Sequence, residues 1–535
     1  MSLLSRYSFF ALCIILTCIF LPLAFANPWL WIPGLLFLAL TMVGCYDLWQ
    51  KQHAIRRNYP ILGNIRYFIE SIRPEIRQYL LEDDDESVPF SRVQRSLVYA
   101  RAKNESADKP FGTLLNVYQE GFEFISHSMQ PAPHSDPKNF RVTIGGPACT
   151  QPYSASVFNI SAMSFGSLSA NAIRALNQGA KLGGFYHDTG EGSISPYHRE
   201  HGGDLVWELG SGYFGCRTED GKFDPQRFAE QACDPQVKMI EIKLSQGAKP
   251  GHGGILPKHK VTPEIAQTRG VPEHQDCISP AFHSAFSNPI ELLEFIAQLR
   301  DLSNGKPVGF KLCLGHPWEF MGIAKAMLKT GILPDFIVVD GAEGGTGAAP
   351  LEFTDHIGVP LREALLFVHN TLVGINVREH IRLGASGKII SAFDIASMLA
   401  IGADWCNSAR GFMFAIGCIQ SQSCHTNKCP TGVATQDPLR QRALVVPDKA
   451  TRVFNFHRNT LKALAEMLAA AGLTHPEQLE ARHLVRRMSA TEIKLFSQMH
   501  VFLAPGELLG EHISGEFYAR MWALADAQRF AGKAL

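Results

Sequence analysis

Two uncharged apolar stretches lie near the start of the chain, at residues 8–26 and 28–45. Each is about long enough to cross a hydrocarbon core of roughly 30 Å as a helix. Only Asn27 separates them, so the pattern predicts two transmembrane helices within residues 1–45, joined as a tight hairpin. Four basic residues follow between positions 51 and 66, and positive flanks stay on the cytoplasmic side. The alternative is a cleaved signal peptide, since "AFA" at 24–26 is an A-x-A-like site.

A repeating alternation begins near residue 155 and continues to about 415. Short apolar runs rich in β-formers end in glycine-rich loops and are followed by helical patterns, as in "MIEIKLSQGAKPGHGG" and then "PIELLEFIAQLRDL". Strand–loop–helix units in series indicate a parallel sheet. Seven or eight units predict a closed (β/α)8 barrel, a TIM barrel of the α/β class, within residues 151–440. An open doubly wound sheet is the alternative, although no G-x-G-x-x-G follows a first strand.

Helical patterns flank the predicted barrel on both sides. Residues 46–150 are predicted as a helical connector that contains a solvated acidic run, Glu82 to Glu86. Residues 441–535 are predicted as a helical extension, with patterns such as "RNTLKALAEMLAAAGL".

Composition narrows the class of protein. Lys plus Arg and Asp plus Glu both number 50 in 535 residues, and this balance argues against a nucleic-acid partner. The twelve cysteines are scattered and lie mostly in apolar runs, which is typical of a reducing compartment rather than a disulfide framework.

Three loops at predicted strand ends favour a phosphorylated cofactor. They are "GAEGGTGA" (341–348), "GASGK" (384–388) and "NSARG" (407–411), and the last two follow the predicted strands seven and eight. In barrels that pair of loops frequently builds a phosphate site, and glycine lets backbone N–H groups approach an anion. Arg410 adds a fixed positive charge with several donors.

A polar cluster is predicted in "EIKLSQGAKPGHGG" (241–254). It contains Lys243, Gln246, Lys249 and His252, and lysines at a barrel mouth could hold a carboxylate substrate or the anionic edge of a reduced flavin. Glu191, in "HDTGEGS", is predicted as an acid–base group or a hydrogen-bond acceptor. A solvated surface loop is the alternative for residues 241–254.

The stretch "CIQSQSCHTNKCP" places Cys418, Cys424 and Cys429 at C-x5-C-x4-C spacing. Three cysteines, of which the last is followed by proline, favour iron–sulfur ligation. Zinc would usually take four ligands, and His425 would have to be the fourth. Structural thiols are the third possibility, and Cys406, in the eighth strand pattern, is expected to be a buried core thiol.

Long motifs resemble the FMN-binding synthase domain of glutamate synthases over roughly residues 110–445. They are "NISAMSFGSLSANAI", "GEG", "IEIKLSQGAKPGHGGILP", "DGAEGGTGAAP" and "GCIQSQSCHTNKCPTGVATQ". The resemblance implies a (β/α)8 barrel with FMN and a 3Fe-4S cluster on the three cysteines. It also implies synthesis of glutamate by reduction of 2-iminoglutarate, which forms from 2-oxoglutarate and ammonia. The chain is similar to the standalone, membrane-anchored proteins of this family.

The same resemblance implies roles for individual residues. The expected catalytic residues are Glu191, Lys243, Gln246 and Lys249, and the expected cluster ligands are Cys418, Cys424 and Cys429. The expected cofactor-binding residues are Ser164, Lys311, Gly344, Gly345, Ser386, Gly387, Ser408 and Arg410.

The chain also departs from the family pattern. We expect no glutaminase domain, no carboxy-terminal β-helix and no NAD(P)H-binding domain, so electrons would come from outside: from ferredoxin, an NAD(P)H reductase or a membrane carrier. "KPGHGG" stands where the family has "KPGEGG", so His252 replaces a carboxylate and leaves the substrate open. "NSARG" also differs from the family's version of that loop.

The sequence therefore predicts an oxidoreductase anchored in the inner membrane by more than one span, with a cytoplasmic barrel. One alternative is a membrane-linked, FMN-dependent amino-acid or hydroxy-acid dehydrogenase. A second is a non-catalytic binding protein, which intact cysteines and loops argue against.

Overall fold

The structure is a computed structural model that describes residues 3–50, 52–81 and 89–533. The chain divides into two compact units, Met1–Glu86 and Ser87–Leu535.

The amino-terminal unit is helical. Its helices are α1 (Leu3–Ala24), α2 (Trp31–Trp49), α3 (Ala54–Asn58) and α4 (Leu62–Ile76), and a π-helical turn, Arg77–Leu81, follows. A 3-10 turn at Pro28–Leu30 joins α1 to α2, and the Asn27 side chain caps it by accepting a bond from the backbone N–H of Trp29. The hydroxyls of Thr17 and Thr41 lie 3.2 Å apart across the hairpin.

Helices α1 and α2 are long and apolar enough to cross a membrane. The qualifying stretches are Arg6–Ala24 and Pro28–Trp49, and only 22% and 11% of their most apolar windows are buried. A signal sequence has the same length and composition, so this finding supports two candidate spans and no more.

A closed barrel of eight parallel strands forms the second unit, as the sequence predicts. The barrel strands are β4 (Phe158–Ile160), β5 (His187–Asp188), β6 (Leu205–Leu209), β7 (Val237–Lys243), β10 (Val308–Leu312), β11 (Phe336–Asp340), β12 (Arg382–Ser386) and β13 (Trp405–Ser408). Each strand pairs with the next along the chain, and β13 closes on β4 at Cys406–Phe158. The run of Val and Ile in these strands is typical of strands buried on both faces.

Short hairpins and outer helices surround the barrel. The remaining strands are β1 (Glu123–Ile125), β2 (Arg141–Ile144), β3 (Tyr153–Ser156), β8 (Ile255–Leu256), β9 (Cys277–Ile278), β14 (Leu484–Arg487) and β15 (Ile493–Leu495). The remaining helices are α5 (Arg92–Lys103), α6 (Ala170–Gly183), α7 (Pro196–Arg199), α8 (Pro225–Ala232), α9 (Pro263–Arg269), α10 (Pro289–Leu302), α11 (Pro317–Thr330), α12 (Leu351–His356), α13 (Leu361–Gly374), α14 (Ala392–Ala400), α15 (Arg410–Ala415), α16 (Pro438–Gln441), α17 (Val446–Ala470), α18 (Phe496–Met499) and α19 (Glu516–Leu524).

Local sequence sets the ends of the outer helices. Helix α6 begins at Ser169, whose hydroxyl accepts from the N–H of Ala172, and ends at Gly184 in the left-handed conformation. Helix α10 begins with Pro289 after the Asn288 cap. These caps set where each helix begins or ends, and so where the chain returns to the sheet.

Apolar side chains fill the amino-terminal end of the barrel. Phe336 and Trp405, each the first residue of its strand, are fully buried in one cluster with the hairpin of β2 and β3. The Trp405 indole N–H donates to the Tyr186 hydroxyl at 2.8 Å. Because this end is closed by apolar packing, the polar interior groups lie toward the carboxyl ends of the strands.

Both flanking segments contain strands as well as the predicted helices. Strand β1, within the predicted helical connector, pairs antiparallel with β14, which pairs with β15 in the predicted helical extension. Strand β2, also in the connector, pairs with β3. Strands of three or four residues show too little alternation to be found by pattern, and the partner of β1 lies some 360 positions away.

Candidate functional site

A cleft of about 140 Å³ opens at the carboxyl-terminal ends of the barrel strands. Residues from the loops after β4, β5, β7, β11 and β13 line it, and among them are Ser164, Glu191, Lys243, Gln246, Lys249, Gly345, Arg410 and Cys424. Active sites of this barrel architecture lie at this face. Eight of the residues predicted from sequence are thus brought together.

An ion pair between Glu191 and Lys243 lies in the cleft. The Lys243 ammonium, at the end of β7, is 2.9 Å from a Glu191 carboxylate oxygen, and the two side chains are 10% and 18% exposed. Burial alone would raise the pKa of Glu191, but Lys243, with Arg269 and Lys249 behind it, outweighs burial and holds that pKa below its usual value. Glu191 is therefore an ionised acceptor surrounded by cations.

The loop after β7 is built by close backbone contact. A Cβ at Gly247 would lie 2.0 Å from the carbonyl oxygen of Gly341, so glycine lets this loop pack on the loop after β11. The Gln246 amide donates to the Thr346 hydroxyl at 3.4 Å across the same contact. Lys249 is buried, and burial lowers its pKa.

Two further cations lie at this face that the sequence pattern does not single out. Arg269, the last residue of α9, donates to the Ser164 hydroxyl at 3.4 Å and to the Phe165 carbonyl at 3.1 Å. Lys260 donates to the Cys424 carbonyl at 2.9 Å, and burial lowers its pKa to about 8. Neither residue follows a barrel strand, so strand-end reasoning misses both.

A buried charge cluster lies inside the barrel below the cleft. Lys311 on β10 contacts Glu208 on β6 and lies 3.1 Å from Glu241 on β7. Carboxylate oxygens of Asp188, Glu208 and Glu241 all lie within 4.8 Å of one another. Burial alone would lower the pKa of Lys311, but its acidic neighbours raise it well above the usual value.

Burial raises the pKa of two of these carboxyl groups. Burial, followed by the charge of Glu241, raises the pKa of Asp188 well above its usual value. Burial likewise raises the pKa of Glu241 to about 7, although Lys311 opposes the rise. Glu208 also lines the cleft, so the cluster reaches from the barrel interior to the site.

Three of the predicted flavin-binding residues, Ser164, Gly345 and Arg410, line the cleft, and Lys311 lies in the buried charge cluster below it. The other four, Gly344, Ser386, Gly387 and Ser408, lie at or just after the carboxyl ends of β11, β12 and β13. Ser386 ends β12, where its hydroxyl lies 3.3 Å from that of Ser161, and Gly387 follows with a φ of +154°, which glycine adopts easily. The Ser408 hydroxyl donates to the Ile389 carbonyl at 2.6 Å, which joins the loops after β12 and β13. Gly344, in the loop after β11, donates its N–H to the Gly341 carbonyl.

Arg410 bridges two loops: the glycine loop, residues 341–348, and the cysteine loop, residues 418–429. Its guanidinium donates to the Thr346 carbonyl at 2.7 Å and lies 3.9 Å from the Cys424 sulfur. A Cβ at Gly345 would lie 3.1 Å from Arg410 Nε, a tight contact that glycine avoids. Bare backbone, hydroxyls and one fixed cation around a cleft fit a phosphorylated flavin.

The three cysteines share one neighbourhood, and each sulfur lies near a donor. Cys418 and Cys429 are buried, and Cys424 is half-buried. The backbone N–H of Gln420 donates to Cys418 Sγ at 3.5 Å. Burial would raise the pKa of Cys429, but the Thr431 hydroxyl and nearby backbone N–H groups outweigh it and lower that pKa. Hydrogen-bond donors that face cysteine sulfurs fit an iron–sulfur cluster, whose potential such bonds tune.

Cys406 and His252 lie outside the lining of the cleft. Cys406 is buried on β13, as a core thiol should be. The His252 ring packs edge-on against Phe353 at 5.4 Å, and its Nδ1 lies 2.9 Å from the Gly253 carbonyl. His252 is not among the residues that line the cleft.

Comparison with known proteins identifies related sequences. Residues 139–474 match the conserved region in glutamate synthase. The glutamate synthase large subunit-like protein YerD of Bacillus subtilis (strain 168) is 37% identical over 497 residues, which cover 85% of this chain and 94% of that protein. An archaeal-type glutamate synthase (NADPH) of Thermotoga neapolitana is 34% identical over 62% of this chain and 63% of its own length. The archaeal glutamate synthase (NADPH) of Methanocaldococcus jannaschii is also 34% identical, over 67% of this chain and 65% of its own length. This chain thus spans less than two thirds of the two NADPH-named relatives.

Solved structures with a similar fold are more distant. A flavocytochrome b2 variant with pyruvate bound aligns with 85% of this chain and 91% of its own at 13% identity and a TM-score of 0.39. A mandelate oxidase variant with benzaldehyde aligns with 81% of this chain and 98% of its own at 17% identity and a TM-score of 0.38. Likenesses this weak have no bearing on what the chain does.

Proposed function

This chain belongs to the glutamate synthase family, and from that premise we propose that it is an FMN-dependent oxidoreductase that reduces 2-iminoglutarate to glutamate. The imine would form from 2-oxoglutarate and ammonia. The observation that carries the proposal is the group of cations around Glu191: Lys243 at 2.9 Å, with Lys249 and Arg269 close enough to hold its pKa down.

Such a group suits a dicarboxylate substrate. Buried ammonium and guanidinium groups bind carboxylates by charge-assisted hydrogen bonds, which are stronger in a site with little water. Lys243 and Lys249 would hold the substrate carboxylates, and Gln246 would orient the substrate from the loop it shares with Thr346. Glu191, kept ionised by its neighbours, would accept a hydrogen bond from the substrate nitrogen.

The glycine-rich loop 341–348, the loops after β12 and β13 and Arg410 would hold FMN, whose reduced form would supply a hydride. Cys418, Cys424 and Cys429 would hold a 3Fe-4S cluster, which would supply one-electron transfer from an external donor. Arg410 touches both the glycine loop and Cys424, so the proposed cluster and flavin sites share one side chain.

The test is anaerobic reduction of the purified protein, followed by mixing with oxo acids and ammonia. We expect the flavin absorbance to return only when 2-oxoglutarate and ammonia are present together, and glutamate to accumulate. The exchange of Lys249→Met should abolish this reoxidation and spare the flavin spectrum. Lys258→Met, at an exposed lysine nearby, should leave both unchanged.

Other outcomes have definite meanings. If a 2-hydroxy acid or an amino acid reduces the oxidised flavin and the imine does not reoxidise it, the protein is a dehydrogenase instead. A purified protein without flavin or iron absorbance would be a binding protein, and the proposal would be wrong.

We also propose that α1 and α2 cross the inner membrane as a hairpin, with the barrel on the cytoplasmic side. Large apolar side chains on both helices face outward, including Ile15 at 55% and Leu36 at 56% exposure. A reporter fused after Leu535 should be active only as a cytoplasmic fusion. Recovery of a mature protein that begins at Asn27 would instead establish a signal peptide.

A further inference from the structure

Helix α4 presents an apolar stripe that is exposed in the part of the chain that the structure describes. Leu62, Ile65, Phe68 and Ile69 are 42%, 55%, 64% and 51% exposed. Their spacing of three and four places them on one face of the helix. In a soluble protein such a face normally packs against the core. Four large apolar residues exposed on successive turns therefore indicate a surface that contacts another molecule or a membrane.

Two arginines, Arg66 and Arg73, lie beside the apolar stripe of α4. Arg66 forms an ion pair with Glu70 at 3.0 Å, and both side chains are at least half exposed. At about 100° per residue, Arg66 and Arg73 lie within roughly 40° of the edge of the stripe. Basic groups beside an apolar face are typical of helices that lie in the plane of a membrane interface.

Direct hydrogen bonds hold the start of α4 at the end of α2. Asp47, in the last turn of α2, is 1% exposed. Its carboxylate accepts from the backbone N–H of Ile61 at 2.9 Å and from the Asn64 amide at 2.5 Å. The first turn of α4 therefore lies at the same level as the end of the second candidate span. Trp49, 80% exposed at that level, is of the type enriched at membrane interfaces.

Charge along the sequence favours an anionic surface. Residues 51–81 contain six Lys and Arg against two Glu, a net charge of +4, before the acidic run that begins at Glu82. The cytoplasmic leaflet carries anionic lipids, and basic segments next to a membrane span are attracted to it.

We propose that α4 lies in the headgroup region of an anionic membrane, with the stripe of Leu62, Ile65, Phe68 and Ile69 turned toward the acyl chains. The inference rests on the proposed membrane hairpin. It gives the protein a second contact with the lipid surface. This contact would hold the segment after α2 flat against the membrane.

The test uses the full chain in nanodiscs whose phospholipids carry bromine on the upper part of the acyl chain. Bromine quenches tryptophan fluorescence at short range. Phe68→Trp places a reporter in the stripe. Glu70→Trp places the same reporter about 160° from Phe68 around the helix, on the other, exposed side of α4. We expect roughly half of the added fluorescence to be quenched for Phe68→Trp in discs with phosphatidylglycerol, and little for Glu70→Trp.

The wild-type protein in the same discs reports on the hairpin separately. Trp29, Trp31 and Trp49 belong to the candidate spans or to their turn, so bromine should quench their emission. If wild-type emission is not quenched, the hairpin proposal fails, and this inference fails with it. If it is quenched while Phe68→Trp shows no quenching beyond wild type, the stripe does not contact the acyl chains and the inference alone is wrong. Equal quenching of both reporters would also overturn the placement of the stripe.

Discussion

Replacing Lys311 by methionine removes the ammonium from the buried charge cluster inside the barrel. Lys311 and Glu208 are 5% and 2% exposed, and Glu241 lies 3.1 Å from the same ammonium. Methionine has similar length, so packing changes little, and the effect should come from charge. Breaking a buried ion pair on one side costs about 3–5 kcal/mol because a charge is left without a partner.

The size of this loss in the free energy of unfolding depends on pH. Without Lys311 the cluster can avoid an uncompensated charge by binding one more proton, so the folded state then has a carboxyl pKa above its unfolded value. Such a cost is absent below the unfolded pKa and grows as the pH rises. With an unfolded glutamate pKa near 4.3 and about 1.36 kcal/mol per unit, the loss is about 4 kcal/mol at pH 7.5 and about 1.6 kcal/mol at pH 5.5.

The assay is urea unfolding of both proteins at the two pH values without added flavin, followed by fluorescence of the buried Trp207 and Trp405. Omitting flavin keeps cofactor affinity out of the comparison. The double variant Lys311→Met/Glu208→Gln is the matched control, because it removes one negative charge together with the positive one. Its loss should be near 1 kcal/mol and nearly independent of pH. An equal loss for the single variant at both pH values would refute the electrostatic reasoning and assign the cost to packing.

Three further predictions concern the cysteines, the flavin and a buried histidine. Cys424→Ser should remove the iron–sulfur signal in electron paramagnetic resonance, whereas Cys406→Ser should keep it; full iron content in Cys424→Ser would contradict the ligand assignment. Arg410→Ala should lower the flavin content of the purified protein, and the more exposed Arg440→Ala should not; equal occupancy would exclude Arg410 from the flavin site. Burial lowers the pKa of His457 to about 3, so stability should fall as the pH drops below about 6.5, and His457→Phe should reduce that slope by about 1.4 kcal/mol per pH unit between pH 6 and 4. An unchanged slope in urea titrations of this variant would mean that His457 titrates normally.

The sequence by itself determined the barrel and the composition of its loops. The strand Phe336–Asp340 begins as an apolar run and is followed by Gly341, and the helix Ala170–Gly183 is flanked by its own capping residues, Ser169 and Gly184. Such features depend on neighbouring residues, so a linear pattern contains them. The carboxyl ends of the strands of a barrel meet at one face. Glu191, Lys243 and Lys249 could therefore be placed together from the sequence alone. Their chemical roles stay predictions.

Tertiary structure alone decided which charges meet. Lys311 lies 103 positions from Glu208 and becomes its partner only because β6, β7 and β10 are adjacent once the barrel closes. Arg269 reaches Ser164 from the end of an inserted helix, and β1 finds β14 some 360 residues later. Contacts of this kind are set by the packing of whole elements, and their energy depends on burial that no local pattern records.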